Sequence, residues 1–562
     1  MNKSAAQGDT TDTRTVATKT TAVEQGVTTG RRTLSAHQRT IVAITFFSMF
    51  FGAGNLIFPP YVGALAGNAS LGALVGFIIS AVSLPVLAVV AVSKAGGFAN
   101  MAGRVSRIFA VVLAVAIILT IGPLFAIPRG ASTSYEMMVA PFVGADNHVV
   151  AQLIYSAVFF ILSFIVAQHP EKLSKVLGKV MGPILLIMIA ILVIVCFFIH
   201  HPAFSAPTGD FKAHQFVTGF LNGYQTMDML AGAYFGIVIS ANIGAFGVKN
   251  EKKNHHEVAF TGCLAGIMLA VVYGALGFVG AVSGSLFPIS PDETGATVLT
   301  NLAKSAFGPV GIVFIGIIFV VACFNCCTGL LSTVSSFFHE QFPTVFGKKV
   351  SYRAWSVLFT VVAFIISNAG LSLIIQLAAP ILEALYPIAI VLVILTLLHK
   401  KFTSHYPRIY FWSVLFTTIV SLCSCILAFV HMAGGSIPPL EHVMSIIPGY
   451  GMSLEWILPA FVGAVIGFDL SMFHRNWKRD EEDPHVVAAR EAKKQAALDS
   501  LMQSGRVIRD GSDEDDETDT GNETDEEAAK DEGVDAPDTS QTPDTGGAAD
   551  TADTADTTAT TK

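Results

Sequence analysis

The chain has 562 residues, of which 52% are hydrophobic and 14% are charged, and its mean hydropathy is +0.59. Because a water-soluble protein of this length needs more surface charge, these values exclude an ordinary soluble globular protein and predict a membrane protein with many spans. The formal net charge of −8 is unevenly distributed, since residues 480–562 carry 25 acidic and 7 basic side chains whereas residues 37–479 carry 14 and 22. The apolar region is therefore basic, and the C-terminal segment is strongly acidic.

These shifts in composition divide the chain into three predicted regions. Residues 1–36 are predicted to be a disordered cytoplasmic N-terminus, which lacks the basic-then-apolar start of a cleavable signal peptide. Residues 37–475 are predicted to form a membrane domain. Residues 476–562 are predicted to be a cytoplasmic, acidic and largely disordered tail, because such low hydrophobicity and high charge cannot support a buried core. A solvated tail is the simpler interpretation, and a regulatory or partner-binding role is the alternative.

Twelve apolar stretches are long enough to cross a bilayer, which takes about 20 residues each. They are predicted at 39–66, 71–93, 106–128, 149–168, 176–200, 216–246, 257–283, 306–338, 352–368, 371–398, 409–432 and 454–474. The seven cysteines fall within apolar stretches, which argues against an extracellular disulfide framework.

The charges of the connecting loops support this count, because cytoplasmic loops are enriched in Lys and Arg. The basic residues of alternate loops are Arg31, Arg32 and Arg39; Lys94, Arg104 and Arg107; Lys172, Lys175 and Lys179; Lys249, Lys252 and Lys253; Lys348, Lys349 and Arg353; Lys400, Lys401 and Arg408; and Arg475, Lys478 and Arg479. The intervening loops hold almost none, namely Arg129, Lys212 and Lys304. This alternation predicts that both termini are cytoplasmic.

The first span contains the run FFSMFFGAGNLIFPPY at 46–61. Gly costs about 1 kcal/mol in a helix interior and Pro about 3 kcal/mol, so this run predicts a helix that breaks inside the membrane. Broken backbone is tolerated at membrane depth only where it is buried in protein or lines a cavity. The break therefore predicts a small-solute site at that depth, as in secondary transporters.

The sixth span contains NGYQTMD at 222–228, which places Gly223 and Asp228 inside an otherwise apolar segment. Interrupted spans at corresponding positions of two five-span halves are typical of inverted-repeat transporters. A break frees N–H groups that attract a carboxylate and C=O groups that attract an ammonium group or Na⁺. The two breaks together suit the zwitterionic end of an amino acid, whereas close helix packing is the alternative role for a single glycine.

Two acidic residues are predicted to be buried in the membrane, where ionisable groups are costly and usually functional. Asp228 has three candidate roles, which are to ligate a cation, to carry a proton, or to hold the helix junction by hydrogen bonds. Glu383 in span 10 lies between Pro380 and Pro387, and capping a kink is the favoured interpretation.

Polar residues in spans 8 and 3 give two further hypotheses. Gly329, Ser332 and Thr333 lie within about one helical turn, and their two hydroxyls suit a hard cation, although hydroxyls often bond back to their own helix. Arg129 is predicted at the outer end of span 3, close in sequence to Glu136. It could pair with Glu136, gate an outer vestibule, or be a plain surface arginine.

Several strings resemble the branched-chain amino acid:cation symporter (LIVCS, BrnQ-type) family. The matching strings are FFSMFFGAGNLIFPPYVGALAG, IGPLFAIPRGASTSYE, GFLNGYQTMDMLAGAYFGIVI, SNAGLSLIIQLAAPILEALYPIAIVL and LPAFVGAVIG, within residues 37–475. The resemblance implies an all-α polytopic transporter of about twelve helices with a LeuT-like 5+5 inverted repeat, in which helices 1 and 6 are broken. It also implies inward transport of Leu, Ile and Val with Na⁺.

The resemblance also implies binding residues. The Na⁺ ligands would come from Gly329, Ser332 and Thr333 and from carbonyls near Ser48 and Phe51. The residues expected to bind substrate lie at the two breaks and are Gly52, Ala53, Gly54, Asn55, Asn222, Gly223, Tyr224, Thr226 and Asp228. We expect the substrate carboxylate to face the amides of Gly54 and Asn55, and its ammonium group to face carbonyls near 222–224. The aliphatic side chain would contact an apolar wall that includes Phe residues of spans 1 and 6.

The sequence thus predicts a secondary active transporter in a bacterial plasma membrane that imports leucine, isoleucine and valine by symport with Na⁺. No cofactor other than this coupling ion and no nucleic acid partner is expected. The alternatives are an H⁺-coupled symporter that uses Asp228 and an amino acid sensor with vestigial transport. A channel would not need paired breaks, and the absence of HExxH and GxSxG motifs argues against an enzyme.

Overall fold

The computed structural model describes residues 33–168, 182–248, 250–290, 293–345, 347–473 and residue 492. The predicted disordered segments at the two ends of the chain lie almost wholly outside these residues. The predicted basic loop residues Lys172, Lys175, Lys179, Lys249, Arg475, Lys478 and Arg479 also lie outside them.

Helices dominate the described residues. The first ten are α1 (Ala36–Phe50), α2 (Ala53–Ala66), α3 (Ser70–Ile78), α4 (Leu84–Ala95), α5 (Phe98–Gly103), α6 (Arg107–Leu119), α7 (Ala126–Met138), α8 (His148–Ala167), α9 (Gly182–Phe198) and α10 (Gln215–Tyr224). One turn of π-helix, Ile79–Ser83, joins α3 to α4, and another, Thr120–Leu124, connects α6 towards α7.

The remaining helices follow the second break. They are α11 (Asp228–Ala245), α12 (Glu251–Leu286), α13 (Gly295–Phe307), α14 (Pro309–Gln341), α15 (Tyr352–Ser367), α16 (Leu371–Leu397), α17 (Arg408–Met432), α18 (Pro438–Ser445) and α19 (Ile457–Phe473). A short antiparallel ribbon pairs β1 (Thr344–Val345) with β2 (Lys348–Lys349) between α14 and α15.

Large apolar side chains remain exposed on several helices, including those of Leu71, Ile108, Val149 and Phe198. Such a surface is unfavourable in water and suits contact with lipid. Within the described residues, seven helical segments are long and apolar enough to cross a membrane, and three shorter helices are also apolar. Helices cover at least part of each of the twelve predicted spans, and the number that cross the bilayer stays a prediction.

Both predicted helix breaks are present. Helix α1 ends at Phe50 and α2 begins at Ala53, so the first break is only Phe51–Gly52. Pro59 and Pro60, which the sequence analysis counted among the breaking residues, instead lie inside the continuous helix α2. The second break lies between α10 and α11, where Met227 has a left-handed φ of 63°.

Span 3 continues well beyond its predicted end at residue 128. After a kink at Gly122 and Pro123, helix α7 extends to Met138. The prediction was wrong because Arg129 was counted as a residue of an outer loop. In the structure the polar run RGASTS is buried, and its hydroxyls bond back to carbonyls of the same helix, as Thr133 does to Arg129 at 2.7 Å. Small residues with such bonds can pack inside a membrane protein without unsatisfied polar groups.

Helices α2 and α12 approach each other through small residues. A Cβ atom added at Gly280 would overlap the backbone of Pro60, and one added at Gly284 would lie 2.8 Å from the Cα of Ala64. Close approach of backbones through small residues is a common way for helices to associate in lipid. This contact fixes the second half of span 1, which carries half of the candidate site.

The Gly280→Ala variant is expected to destabilise this contact, because overpacking a tight interface costs about 1–3 kcal/mol. The matched control is Gly274→Ala, since a Cβ added at Gly274 meets no atom within 4 Å and Ala is preferred over Gly in helices by about 1 kcal/mol. Thermal unfolding in detergent should show a lower midpoint for Gly280→Ala and an unchanged or higher midpoint for Gly274→Ala. Equal midpoints would contradict the close contact.

An ion pair holds the start of span 1 against α12. The Arg39 guanidinium donates to both carboxylate oxygens of Glu257, at 2.8 Å and 2.6 Å, and lies over the ring of Phe260. The Glu257 side chain is fully buried, whereas that of Arg39 is 28% exposed. Bidentate contacts of this kind are geometrically specific, so they hold the first turn of α1 against α12.

The Glu257→Gln variant should lower the free energy of unfolding by about 1–3 kcal/mol, since hydrogen bonds to charged groups are worth about that much. Glu251→Gln, on the first turn of the same helix, is the matched control because the Glu251 side chain is 71% exposed. Denaturation followed by tryptophan fluorescence measures both variants. If both lose the same small amount, the ion pair does not anchor α1.

Candidate functional site

A small cavity lies where the two breaks meet, with about 40 Å³ open to the centre of a water molecule. Five parts of the chain contribute its lining, namely α1 and α2, the kinked end of span 3, the second break with α11, and α14. The residues are Met49, Phe50, Gly52, Ala53, Gly54, Asn55, Ile121, Ala126, Arg129, Gly130, Thr226, Met227, Asp228, Ala231, Phe235, Cys323, Cys326, Cys327 and Leu330.

Asn55 joins the two breaks. Its Oδ1 accepts a hydrogen bond from the Gly52 amide at 3.0 Å, and its Nδ2 donates to Asp228 Oδ2 at 2.6 Å and to the Tyr273 hydroxyl. The Tyr273 hydroxyl in turn donates to Asp228 Oδ2 at 3.2 Å. Because a buried carboxylate requires hydrogen-bond partners, this cluster allows an acid to lie at the junction of α2, α11 and α12.

Arg129 is the residue that the sequence analysis misplaced. It is 2% exposed and lines the cavity, so the interpretations as a surface or loop arginine are wrong. Its Nη1 donates to the carbonyl of Gln225 at 2.7 Å, and its guanidinium lies over the ring of Phe58 at 5.3 Å. None of the three ion pairs among the described residues joins it to Glu136. The Pro128–Arg129–Gly130 sequence gave no signal of this position.

The rest of the cavity wall is largely apolar. Phe50 and Phe235, from spans 1 and 6, meet edge to face with ring centroids 5.4 Å apart. Ile121, Ala231 and Leu330 complete this side of the cavity. Such a wall can accept an aliphatic side chain and cannot satisfy a polar one. The expected Phe residues of the two broken spans are therefore present in the wall.

The structure brings together six of the nine predicted substrate residues, and these line the cavity as Gly52, Ala53, Gly54, Asn55, Thr226 and Asp228. The other three are directed elsewhere. Asn222 lines a separate cavity with Phe58 and Gln225. A Cβ added at Gly223 would overlap the Ser80 hydroxyl, and the ring of Tyr224 stacks on Tyr386 at 4.1 Å.

The carbonyls expected to face an ammonium group already have backbone partners. The carbonyl of Asn222 accepts from the Gln225 amide, that of Gly223 from the Thr226 amide and that of Tyr224 from the Met227 amide, at 3.0–3.2 Å. This tight last turn of α10 satisfies its own end, as helix termini often do. Asp228 is the acidic side chain that lines the cavity at this break.

Among the described residues, one side-chain hydrogen bond joins two of the predicted Na⁺ ligands, and it lies within helix α14. Thr333 Oγ1 donates to the Gly329 carbonyl at 2.9 Å, and the Tyr352 hydroxyl lies 3.3 Å from Ser332 Oγ. Phe51 stacks on Phe47, and Ser48 is half-buried on α1. Hydroxyl donors of this type can turn to present lone pairs to a cation, and the Na⁺ site stays a prediction.

A family model described as branched-chain amino acid transport protein matches residues 35–474. The chain belongs to this family. It is 36% identical to the branched-chain amino acid permease BrnQ of Bacillus subtilis (strain 168), over 78% of the chain and 98% of that protein. It is 33% identical to the permease BraB of the same organism, over 79% of the chain and 97% of that protein. The family consists of transporters and not enzymes, and the predicted family is confirmed.

Solved structures show a more distant likeness. The nucleobase-cation-symport-1 family transporter Mhp1 with bromovinylhydantoin bound matches 77% of this chain and 91% of its own, with a TM-score of 0.49 and 12% identity. MhsT in complex with L-phenylalanine matches 71% of this chain and 99% of its own, with a TM-score of 0.47 and 16% identity. The predicted fold class is confirmed by the helical architecture, in which spans 1 and 6 are broken.

Asn55→Leu is expected to abolish transport, because it removes the link between the two breaks and leaves Asp228 with one partner fewer. Asn368→Leu is the matched control, since the Asn368 amide donates to the Phe364 carbonyl at 2.7 Å at the end of α15 and lines neither cavity. Transport by both variants is measured as uptake of labelled leucine into proteoliposomes. Leucine is a branched-chain amino acid, the kind of substrate named for the relatives. Equal loss in the two variants at equal reconstitution would contradict the assignment of the cavity.

Proposed function

We propose that this protein is a secondary active transporter that imports leucine, isoleucine and valine by symport with Na⁺. The observation that carries the proposal is the cavity at the two helix breaks, which combines charged groups with an apolar wall. Its relatives are branched-chain amino acid permeases, and the wall of Phe50, Phe235 and Leu330 suits branched aliphatic side chains. One methylene changes binding in such a pocket by only about 1–3 kcal/mol, so one carrier is expected to accept all three amino acids.

Both termini are proposed to be cytoplasmic, in the plasma membrane of a bacterium. The alternation of basic loops supports this orientation. In this orientation α2 and α10 are the outer halves of the broken spans, and the separate cavity lined by Phe58, Asn222 and Gln225 leads towards the outside. Substrate would thus reach the central cavity past Arg129 and leave on the side of α1 and α11.

Na⁺ is proposed as co-substrate, with ligands from Ser332 and Thr333 on α14 and from carbonyls at the end of α1. Helix α14 supports this placement because it reaches the first break, where a Cβ added at Gly52 would lie 2.8 Å from Cys326 Sγ. H⁺ coupling is the second candidate. The observation that favours it is the position of Asp228, which is 3% exposed and lines the cavity at the second break.

The experiment is uptake of labelled leucine into proteoliposomes at constant pH, with an inward Na⁺ gradient against a matched choline control. Na⁺-driven accumulation that excess isoleucine and valine suppress would support the proposal. Accumulation driven only by an imposed pH gradient would replace Na⁺ by H⁺. Absence of leucine uptake under both gradients would overturn the substrate class.

A variant series tests the cation site directly. Ser332→Ala combined with Thr333→Ala should raise the Na⁺ concentration for half-maximal uptake about tenfold, which corresponds to about 1.4 kcal/mol of lost binding. The matched control is Ser335→Ala, a buried hydroxyl on the same helix that donates to the Leu331 carbonyl at 2.7 Å. A Na⁺ dependence that does not change in the double variant would remove these hydroxyls from the site.

A further inference from the structure

We propose that the Arg129 guanidinium binds the substrate carboxylate, opposite Asp228, so that the cavity recognises a zwitterion with two fixed charges of opposite sign. The inference rests on the proposed function and adds to it a specificity residue that comes from neither broken helix. It gives the buried guanidinium on span 3 a role in substrate binding that the two helix breaks alone do not explain.

Arg129 has hydrogen-bonding capacity that the protein leaves unused. A guanidinium carries five N–H donors. Its Nη1 donates to the Gln225 carbonyl, whereas its Nε is buried without a hydrogen-bond partner. Leaving a buried charged donor unsatisfied is costly. An anion that enters the cavity would supply the missing acceptor.

The guanidinium lies directly beside the start of α2. A Cβ added at Gly54 would lie 2.8 Å from Arg129 Nη2, so glycine is required for this approach. Gly54 is the second residue of α2, whose first N–H groups have no partner within the helix. A carboxylate at this point would accept hydrogen bonds from the guanidinium and from the free amides, and both donors favour an anion.

Asp228 supplies the opposite charge across the same cavity. Its Oδ2 is held by Asn55 and Tyr273. None of the three ion pairs among the described residues joins Arg129 to Asp228, so neither charge neutralises the other by direct contact. A buried charge without a counter-ion in contact costs free energy. A ligand with both an ammonium group and a carboxylate would compensate both charges, whereas a ligand with one charge would compensate only one.

The competing explanation is that Arg129 only positions the second break through its bond to the Gln225 carbonyl. A positioning residue would affect all ligands alike. A carboxylate-binding residue would affect ligands according to whether they carry a carboxylate. Leucinamide provides this distinction, because it keeps the side chain and ammonium group of leucine and replaces the carboxylate with a neutral amide.

The test measures binding of leucine and of leucinamide to the purified full-length protein in detergent, by competition with labelled leucine and by calorimetry. Arg129→Gln is expected to weaken leucine binding about 100-fold or more and to change leucinamide binding less than about threefold. For Arg129→Lys, we expect leucine binding to be weaker than in the wild type and stronger than in Arg129→Gln. Lysine keeps the positive charge but lacks the planar set of donors of the guanidinium. Arg104→Gln is the matched control, since Arg104 bonds to the Tyr410 hydroxyl at 3.0 Å away from the cavity.

Gly54→Ala is a second variant, which keeps the buried arginine and displaces its guanidinium. It tests whether Arg129 binds the carboxylate if Arg129→Gln does not fold. It should weaken leucine binding more than leucinamide binding. Equal weakening of both ligands would make Arg129 a positioning residue and overturn the inference. Failure of the wild-type protein to bind leucine, isoleucine or valine would instead overturn the proposed function.

Discussion

The hydrogen bond between Asn55 and Asp228 is the interaction on which the rest of the site depends. Each broken helix leaves amides and carbonyls that no lipid can satisfy, and Asp228 adds a charge that the membrane interior disfavours. The Asn55 side chain resolves both difficulties, because its Oδ1 accepts from the Gly52 amide while its Nδ2 donates to Asp228. One side chain therefore contributes hydrogen bonds at both breaks.

Small residues make this junction sterically possible. Gly280 and Gly284 allow α12 to approach α2 backbone to backbone, and this approach brings Tyr273, on the same helix, to the Asn55 amide. Gly54 does the same on the other side, where it leaves room for the guanidinium of Arg129. The glycines thus allow the polar and charged groups of the site to approach one another. Hydrogen bonds between these groups then stabilise the junction.

The sequence predicted the breaks because their chemistry is local. Glycines at 52 and 54 and an acid at 228 are each unfavourable in an undisturbed membrane helix. Arg129 could not be placed in this way. Its neighbours are Phe58 and the Gln225 carbonyl, which are distant in sequence, and the polar run that follows it has the composition of a loop. Asn222 and Tyr224 show the opposite error. They are close to a break in sequence, but this proximity does not direct their side chains into the cavity that the break forms.

Transport requires that ligands change the relative stability of conformations, and a ligand does so only through its different affinity for each. A group bound beside Asp228 acts on a carboxylate that Asn55 and Tyr273 hold, so its charge affects hydrogen bonds at both breaks at once. A cation on α14 would have a separate route, because a Cβ added at Gly52, in the first break, would lie 2.8 Å from Cys326 Sγ of that helix. In the proposed symport, substrate and Na⁺ would therefore both act on the first break, one through Asn55 and the other through Gly52. Coupling would then need no long pathway, since both ligands would act on one junction of four helices.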